Sequence, residues 1–323
     1  MHFAKTVGYR HHLKRITREY FSQRGYLEVD TPVITICPGT EVHLQYFDTS
    51  WVDSQGNRHN RFLRSSPELH MKRIVARGIG KVFQLGPCFR NHGELSPWHN
   101  PEFFMLEWYQ VGQSYMGLID ETENFLRETA DAMASVTGVA SNRILPVRIE
   151  RLKVADAFLE FAKIPIIDGD PELARKAIAA GVISVRPSDD FETSFFKILI
   201  EVIEPALEKL GACVLYDYPP SQAALAIVDQ GRACRFEFYA GRVELCNGFY
   251  ELTGEQENRN RALEAMNARR ACGYDEVPLD EGFFKDMSGF SSPCGGNALG
   301  FDRWLTLLSG GENLDVALPF RGI

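Results

Sequence analysis

The stretch from Lys81 to Gln110, KVFQLGPCFRNHGELSPWHNPEFFMLEWYQ, constrains the fold more than any other. It reads as two apolar, strand-like segments joined by a polar loop, and an antiparallel strand pair is expected over residues 82–110. Arg90 ends the first segment. His99 and Asn100 open the second, just before Pro101-Glu102-Phe103. An arginine fork beside a flexible polar loop, followed by aromatics, is what a site needs to grip a polyphosphate and stack a base.

The flanking sequence supplies elements for these strands to pack on. Residues 7–25 read as a helix, because Leu13, Ile16, Tyr20 and Phe21 recur at spacings of three and four and Gly25 stops the run. Residues 26–31 alternate apolar and polar like a strand that Pro32 ends. A short strand precedes Ser66-Pro67-Glu68, which opens a helix through Arg77, with Ser66 as N-cap and proline at the first helical position. Residues 116–136 are expected to be helical, and residues 146–210 mostly so with Pro and Gly breaks. Thr253 and Gln256 have capping-box spacing at the start of a helix running to about Cys272, which Gly273 can cap. Cys294-Gly295-Gly296 leads a short strand into a helix from about Phe301 to Leu308. Helices against antiparallel strands predict an α+β fold.

Composition narrows the function. The chain has 323 residues, 45% hydrophobic and 24% charged, the balance of an ordinary globular protein. A formal charge of −8 disfavours non-specific nucleic-acid binding, which needs a net basic footprint. The seven cysteines form no CxxC pair and are odd in number, which fits reduced thiols better than a disulfide framework or zinc site. The N-terminus lacks the apolar core of a signal peptide and no run approaches a bilayer span, so a cytoplasmic location without membrane contact is expected.

Residues 235–252 read as a hairpin. With Ala240-Gly241 as the loop, Tyr239 pairs with Arg242, Phe238 with Val243, and Glu237 sits directly opposite Glu244. Opposed like charges destabilise a sheet, so something positive should lie between them. Two readings stand: Mg²⁺, whose hard-oxygen preference suits carboxylates beside substrate phosphates, or a solvated face where Arg235 or Arg242 answers each glutamate.

Three ordered stretches resemble the motifs of class II aminoacyl-tRNA synthetases. RGYLEVDTPV, residues 24–33, resembles motif 1, whose proline, here Pro32, lies at a dimer interface. FRNHGELSPWHNPEF, residues 89–103, resembles motif 2, and GGNALGFDRWLTLL, residues 295–308, resembles motif 3 with Arg303. The wording HNPEFFMLEWY, and VELCNGFYELTG at residues 243–254, are similar to the lysine-activating branch. The resemblance covers nearly the whole chain except residues 146–210. It implies a class II synthetase catalytic core, a mostly antiparallel sheet flanked by helices, as a single domain over residues 1–323 with a mostly helical insertion at about 146–210. Lysyl-tRNA synthetases carry an N-terminal anticodon-binding domain; with motif 1 inside the first 30 or so residues, none is expected here. A free-standing core of this type resembles the elongation factor P–(R)-β-lysine ligases, which adenylate a lysine isomer and transfer it to a lysine side chain of elongation factor P.

The resemblance implies roles for individual residues. Arg90 holds the α-phosphate of ATP, with Asn91, His92, His99 and Asn100 along the nucleotide. Phe103 stacks on adenine, and Arg303 covers its other face and reaches the γ-phosphate. Glu237 and Glu244 bind Mg²⁺, Leu245 contacts the nucleotide through its backbone, and Gly300 permits close approach. Ser66, Pro67 and Glu68 border the amino-acid site. Tyr109 and Glu251 bind the side-chain ammonium of lysine or (R)-β-lysine, and Glu107, Asn247 and Phe249 line the same pocket. Such acids make physical sense, since buried ammonium groups need anionic partners. The chain departs from the lysine-branch pattern at His92, where a glutamate is usual and Glu94 follows two residues later, and at Ala298, where the synthetases have glycine and the ligases share the alanine. The expected protein is a homodimeric ATP-dependent ligase acting on elongation factor P, with tRNA an unlikely acceptor. The alternatives are a truncated lysyl-tRNA synthetase-like enzyme and a non-catalytic regulatory paralogue.

Overall fold

The computed structural model describes residues 2–93 and 96–321. The chain divides into two compact units, residues 1–139 with 251–323, and residues 140–250.

The first unit opens with helix α1 (His2–Gln23), which buries Leu13, Tyr20 and Phe21 and ends at Gly25 in the left-handed region (φ 77°). The strand expected over residues 26–31 shrinks to β1 (Leu27–Glu28). The reason lies in Arg64, whose buried guanidinium takes the Thr31 carbonyl at 2.9 Å and also reaches that of Pro32. That backbone bonds to a side chain in place of a neighbouring strand. Strands β2 (Ile34–Thr35), β3 (Asp48–Val52) and β4 (Arg58–Leu63) form a separate antiparallel sheet in the order β2-β4-β3, of which only β4, just before Ser66, was legible beforehand.

Helix α2 (Glu68–Ala76) starts one residue later than expected, with Pro67 and not Ser66 as its N-cap, although the Glu68 N–H does donate to Ser66 Oγ at 2.9 Å. Strands β5 (Lys81–Phe89) and β6 (Glu102–Val111) pair antiparallel without interruption from Lys81↔Gln110 to Phe89↔Glu102. Helix α3 (Tyr115–Thr137) follows, with Ser114 accepting from the Gly117 N–H and Gly138 ending it at φ 77°.

The second unit begins with β7 (Glu150–Lys153), a strand not foreseen, and continues through α4 (Val154–Ala157), α5 (Leu173–Ala179), α6 (Phe191–Ile198) and α7 (Glu204–Leu207). Phe158 and Phe195 stack at 4.9 Å in its core with Ile203, Leu215 and Tyr239. Strands β8 (Ala212–Tyr218), β9 (Val228–Asp229), β10 (Arg232–Ala240) and β11 (Val243–Tyr250) complete it. β7 runs parallel to β8, β8-β10-β11 are antiparallel, and β9 borders β10.

The hairpin register differs from the one expected. Ala240 pairs with Val243, so the loop is Gly241-Arg242, with Gly241 at φ 59°. Tyr239 then faces Glu244, a bulge inserts Leu245, and Phe238 faces Cys246, so Glu237 lies opposite Asn247 and not opposite Glu244.

The first unit resumes with α8 (Glu255–Ala271) and α9 (Glu281–Met287), the latter unforeseen and capped by Asp280. The capping box does not form: Gly254 is the N-cap of α8 and no side chain bonds there, whereas Gly273 ends it as expected (φ 77°). Strand β12 (Cys294–Gly300) feeds α10 (Phe301–Leu308) and pairs antiparallel with β6. Within this unit the strand order is β1-β5-β6-β12, with β1 parallel to β5. One face carries the aromatic core: Phe21 stacks on Phe83 at 4.9 Å and meets Trp108 at 5.3 Å and Phe125 at 5.4 Å. Removing one of these rings would cost about 3–5 kcal/mol. The other face meets α2 through Met71 and Val75, packed with Val82, Tyr109 and Cys294. The fold is α+β, with mostly antiparallel sheet flanked by helices. No helix among the described residues is long and apolar enough to cross a membrane.

Candidate active site

Strand periodicity builds the site in the first unit. On β6, Phe103, Met105, Glu107 and Tyr109 are two residues apart and share a face. On β12, Gly296 pairs with Tyr109, Ala298 with Glu107 and Gly300 with Met105. On β5, Cys88 pairs with Phe103 and Gln84 with Glu107. One face therefore runs from Phe103 at one end to Tyr109 at the other, about 20 Å at ~3.4 Å per residue.

Two arginines stand at the Phe103 end. The Arg90 guanidinium lies 5.2 Å from the Phe103 ring, and its buried Nε donates to no protein acceptor. The backbone N–H of Arg90 is held by the Pro101 carbonyl at 3.0 Å, which ties the end of β5 to the start of β6. Arg303, in the first turn of α10, has Nη2 3.0 Å from His99 Nε2, and His99 Nδ1 lies 2.5 Å from Ser96 Oγ. Asn100 Nδ2 donates to the Glu102 carbonyl at 2.5 Å, leaving Oδ1 buried without a hydrogen bond. A Cβ on Gly300 would stand 3.3 Å from Arg303 Cδ, so the glycine lets that side chain lie close. Asn91 turns inward to the chain: its N–H reaches the Gln45 carbonyl at 2.9 Å and its Oδ1 accepts the His92 N–H at 2.9 Å. His92 is left-handed (φ 51°) and Glu94 lies outside the described residues.

The Tyr109 end is a buried acid cluster. Glu107 is 1% exposed; Ser66 Oγ donates to its Oε1 at 2.6 Å and the Tyr109 hydroxyl to its Oε2 at 3.0 Å. Burial first, then the Glu68 charge, push its carboxyl up to about 7. Glu251, also 1% exposed, is pushed up to about 8 by burial, against the pull of Lys72. Lys72 is the residue that sequence reading missed. It is fully buried, 2.6 Å from Glu68 Oε1 and 2.5 Å from Glu251 Oε2, the second an ion-pair contact without hydrogen-bond alignment. Burial opposes its charge, but Glu251 and then Glu68 hold the ammonium above its ordinary range. The Glu68–Lys72 spacing of four was a legible helical pair, but such pairs are ordinarily exposed and say little. Glu41 was missed as well; burial and Glu68 push it up, while Arg90 pulls against them. Gly296 was another omission. A Cβ there would be 2.2 Å from Glu251 Oε1 and 2.3 Å from Tyr109 Cε1.

In the second unit, Arg235, Glu237 and Tyr239 share a face of β10, and the bulge at Leu245 brings Glu244 and Asn247 to that same face with Phe249. Glu237 and Glu244 are thus diagonal neighbours. A cation is indeed present: Arg235 Nη2 is 2.5 Å from Glu237 Oε1, and the Tyr239 hydroxyl donates to Oε2 at 2.7 Å. Asn247 Oδ1 is buried without a hydrogen bond. Among the described residues no three His, Cys, Asp or Glu side chains group together to hold a metal alone. Two carboxylates and an amide oxygen on one face suit Mg²⁺, which keeps waters and takes phosphate oxygens to complete its shell.

Known proteins match this arrangement along almost its whole length. The family model of class II tRNA synthetases (D, K and N) matches residues 2–321. An elongation factor P–(R)-β-lysine ligase of Hamiltonella defensa subsp. Acyrthosiphon pisum is 33% identical over 314 residues, covering 95% of this chain and 92% of its own. Proteins of the same name from Proteus mirabilis and Vibrio cholerae are each 35% identical, over 94% and 95% of this chain and 90% and 93% of theirs. The chain belongs to the class II tRNA synthetase family of the D, K and N type, and within it to the elongation factor P–(R)-β-lysine ligases.

Proposed function

We propose that the protein activates (R)-β-lysine, or lysine, with ATP and transfers it to a lysine side chain of elongation factor P. The observation that carries this is the single face of β6, with two arginines and a half-buried phenylalanine at one end and buried carboxylates at the other. A diamino acid laid along it has its carboxylate toward Arg90 and an ammonium toward Glu107, Tyr109 and Glu251. The carboxylate attacks the α-phosphorus, pyrophosphate leaves, and the adenylate forms. A neutral lysine amine of the acceptor then attacks the carbonyl, and AMP leaves. The orphaned Arg90 Nε supports a role on the α-phosphate, where charge develops during attack.

The remaining assignments belong to the same reading. Asn91, His92, His99 and Asn100 lie along the nucleotide, Phe103 stacks on its base, and Arg303 and Gly300 form the motif 3 side. Ser66, Pro67, Glu68 and Ala298 border the amino-acid pocket. From the second unit, Glu237 and Glu244 hold Mg²⁺, which when bound neutralises phosphate charge; Leu245 contacts nucleotide and Asn247 and Phe249 contact substrate. The chain acts as one catalytic domain with residues 146–210 as an insertion. It works in the cytoplasm. It pairs as a homodimer, for which exposed Phe3, Val7 and Leu27 on α1 and β1 supply apolar surface.

The test is amino-acid-dependent ATP–pyrophosphate exchange with lysine and (R)-β-lysine side by side, then mass spectrometry of elongation factor P beside an assay for charged tRNA. Exchange and one added lysyl mass on a single lysine of the factor are expected, with Arg303→Ala abolishing exchange in a folded protein. Charged tRNA with unmodified factor would favour a minimal synthetase, and no exchange with any lysine isomer would remove both.

A further inference from the structure

Lys72 has no assigned part in this chemistry, yet it is buried completely beside the residues that do. A lysine is expensive to bury, and an apolar side chain would fill the same space more cheaply. Its contacts are specific. Nζ engages Oε2 of Glu251 and Oε1 of Glu68. The other oxygen of Glu251, Oε1, lies on the Gly296 and Tyr109 side, as the 2.2 Å approach to a Gly296 Cβ shows. One carboxylate oxygen is therefore held from α2 while its partner is presented to the face of β6.

We infer that Lys72 is a positioning residue for amino-acid selection: it draws Glu251 towards its ionised form and turns Oε1 toward the site of the substrate's ammonium. The inference rests on reading this cluster as the amino-acid pocket. The groups facing Glu251 are Lys72 and Glu68 from α2, Glu107 and Tyr109 from β6, and Cys294 from β12. Lys72 is the only cation among them; Glu68 and Glu107 work with burial to neutralise Glu251. Without Lys72 the carboxyl would hold its proton to higher pH still, and a protonated acid pairs poorly with an ammonium. Apparent affinity then falls by the fraction of protein left in the competent, ionised form.

The experiment measures KM for the lysine isomer, KM for ATP and kcat by pyrophosphate exchange from pH 6.5 to 9, on wild type, Lys72→Met and Glu68→Gln, with thermal melts to check folding. Wild-type KM for the amino acid should fall as pH rises towards 8 and then level. Lys72→Met should raise that KM about tenfold or more at pH 7, with ATP KM unchanged, and regain up to about tenfold per pH unit as Glu251 ionises. Glu68→Gln, which removes a like charge, should move the midpoint to lower pH, and it decides the question if Lys72→Met gives no cooperative melt. A loss in Lys72→Met that is equal at every pH, or shared by ATP KM and kcat, would overturn the inference; so would a Glu68→Gln midpoint that stays or rises. Wild-type exchange with a lysine isomer keeps the proposed function standing whatever the variants do. No wild-type exchange would remove that function and this role together.

Discussion

Gly296 shows how little space separates the recognition groups. A methyl there would press on Glu251 Oε1 and the Tyr109 ring at 2.2 and 2.3 Å, and both are buried too tightly to yield. Gly296→Ala should lower stability by about 1–3 kcal/mol through overpacking and raise KM for the amino acid more than KM for ATP. Melts and exchange kinetics on one preparation check both. Glu107 makes a second prediction at this scale. Its folded carboxyl titrates at about 7 against an ordinary 4.5, so between those values the folded protein holds a proton that the unfolded chain has released. Stability from that proton is complete below 4.5 and is lost as pH rises through 7, on the order of 3 kcal/mol. Substrate-free wild type should therefore lose melting temperature between pH 5 and 8 relative to Glu107→Gln. Parallel curves for the two proteins would show that Glu107 does not titrate in this window.

Helix α2 carries both Glu68 and Lys72, so its placement decides the pocket. On its other side Arg73 Nη1 meets Asp280 at 2.9 Å, Arg73 Nε meets Asp286 at 2.7 Å, and Arg77 meets Asp286 at 2.8 Å. The backbones of α2 and the end of α9 come so close that a Cβ on Gly289 would be 2.4 Å from the Ala76 carbonyl oxygen. Asp286 joins two arginines and is mostly buried. Asp286→Ala should cost about 2 kcal/mol, as expected for charge-assisted hydrogen bonds, and loosen α2 enough to raise amino-acid KM. Denaturant unfolding measures the first effect and exchange kinetics the second; a stable variant with unchanged KM would show that α9 does not brace the pocket. In the β10–β11 hairpin, the bulge at Leu245 is the device that matters. A regular ladder from the observed Gly241-Arg242 loop would turn Glu244 and Asn247 to opposite faces, since side chains alternate.

For the molecule as a whole, light scattering at micromolar concentration should give twice the chain mass of 36.5 kDa, and a monomeric mass would contradict the proposed dimer. The net charge of −8 sets no specific acceptor, but it weakens long-range attraction for a polyphosphate chain within the reach that salt permits, about 8 Å. Local sequence determined the strand pair expected over residues 82–110, the helices expected over 7–25, 116–136 and 301–308, each to within a few residues of its observed ends, and the ends of several helices at glycine, because alternation, helical spacing and left-handed backbone are properties of neighbouring residues. Motif wording at residues 24–33, 89–103 and 295–308 determined the family. Only the tertiary structure decided that Arg64 cuts β1 short, that the hairpin slips by one residue and bulges, and that Lys72 meets Glu251 across 179 positions of chain (251 minus 72). The physical reason is common to all three. Each depends on which distant group arrives to satisfy a buried carbonyl, ladder bond or charge, and a chain of residues carries no record of that until it is packed.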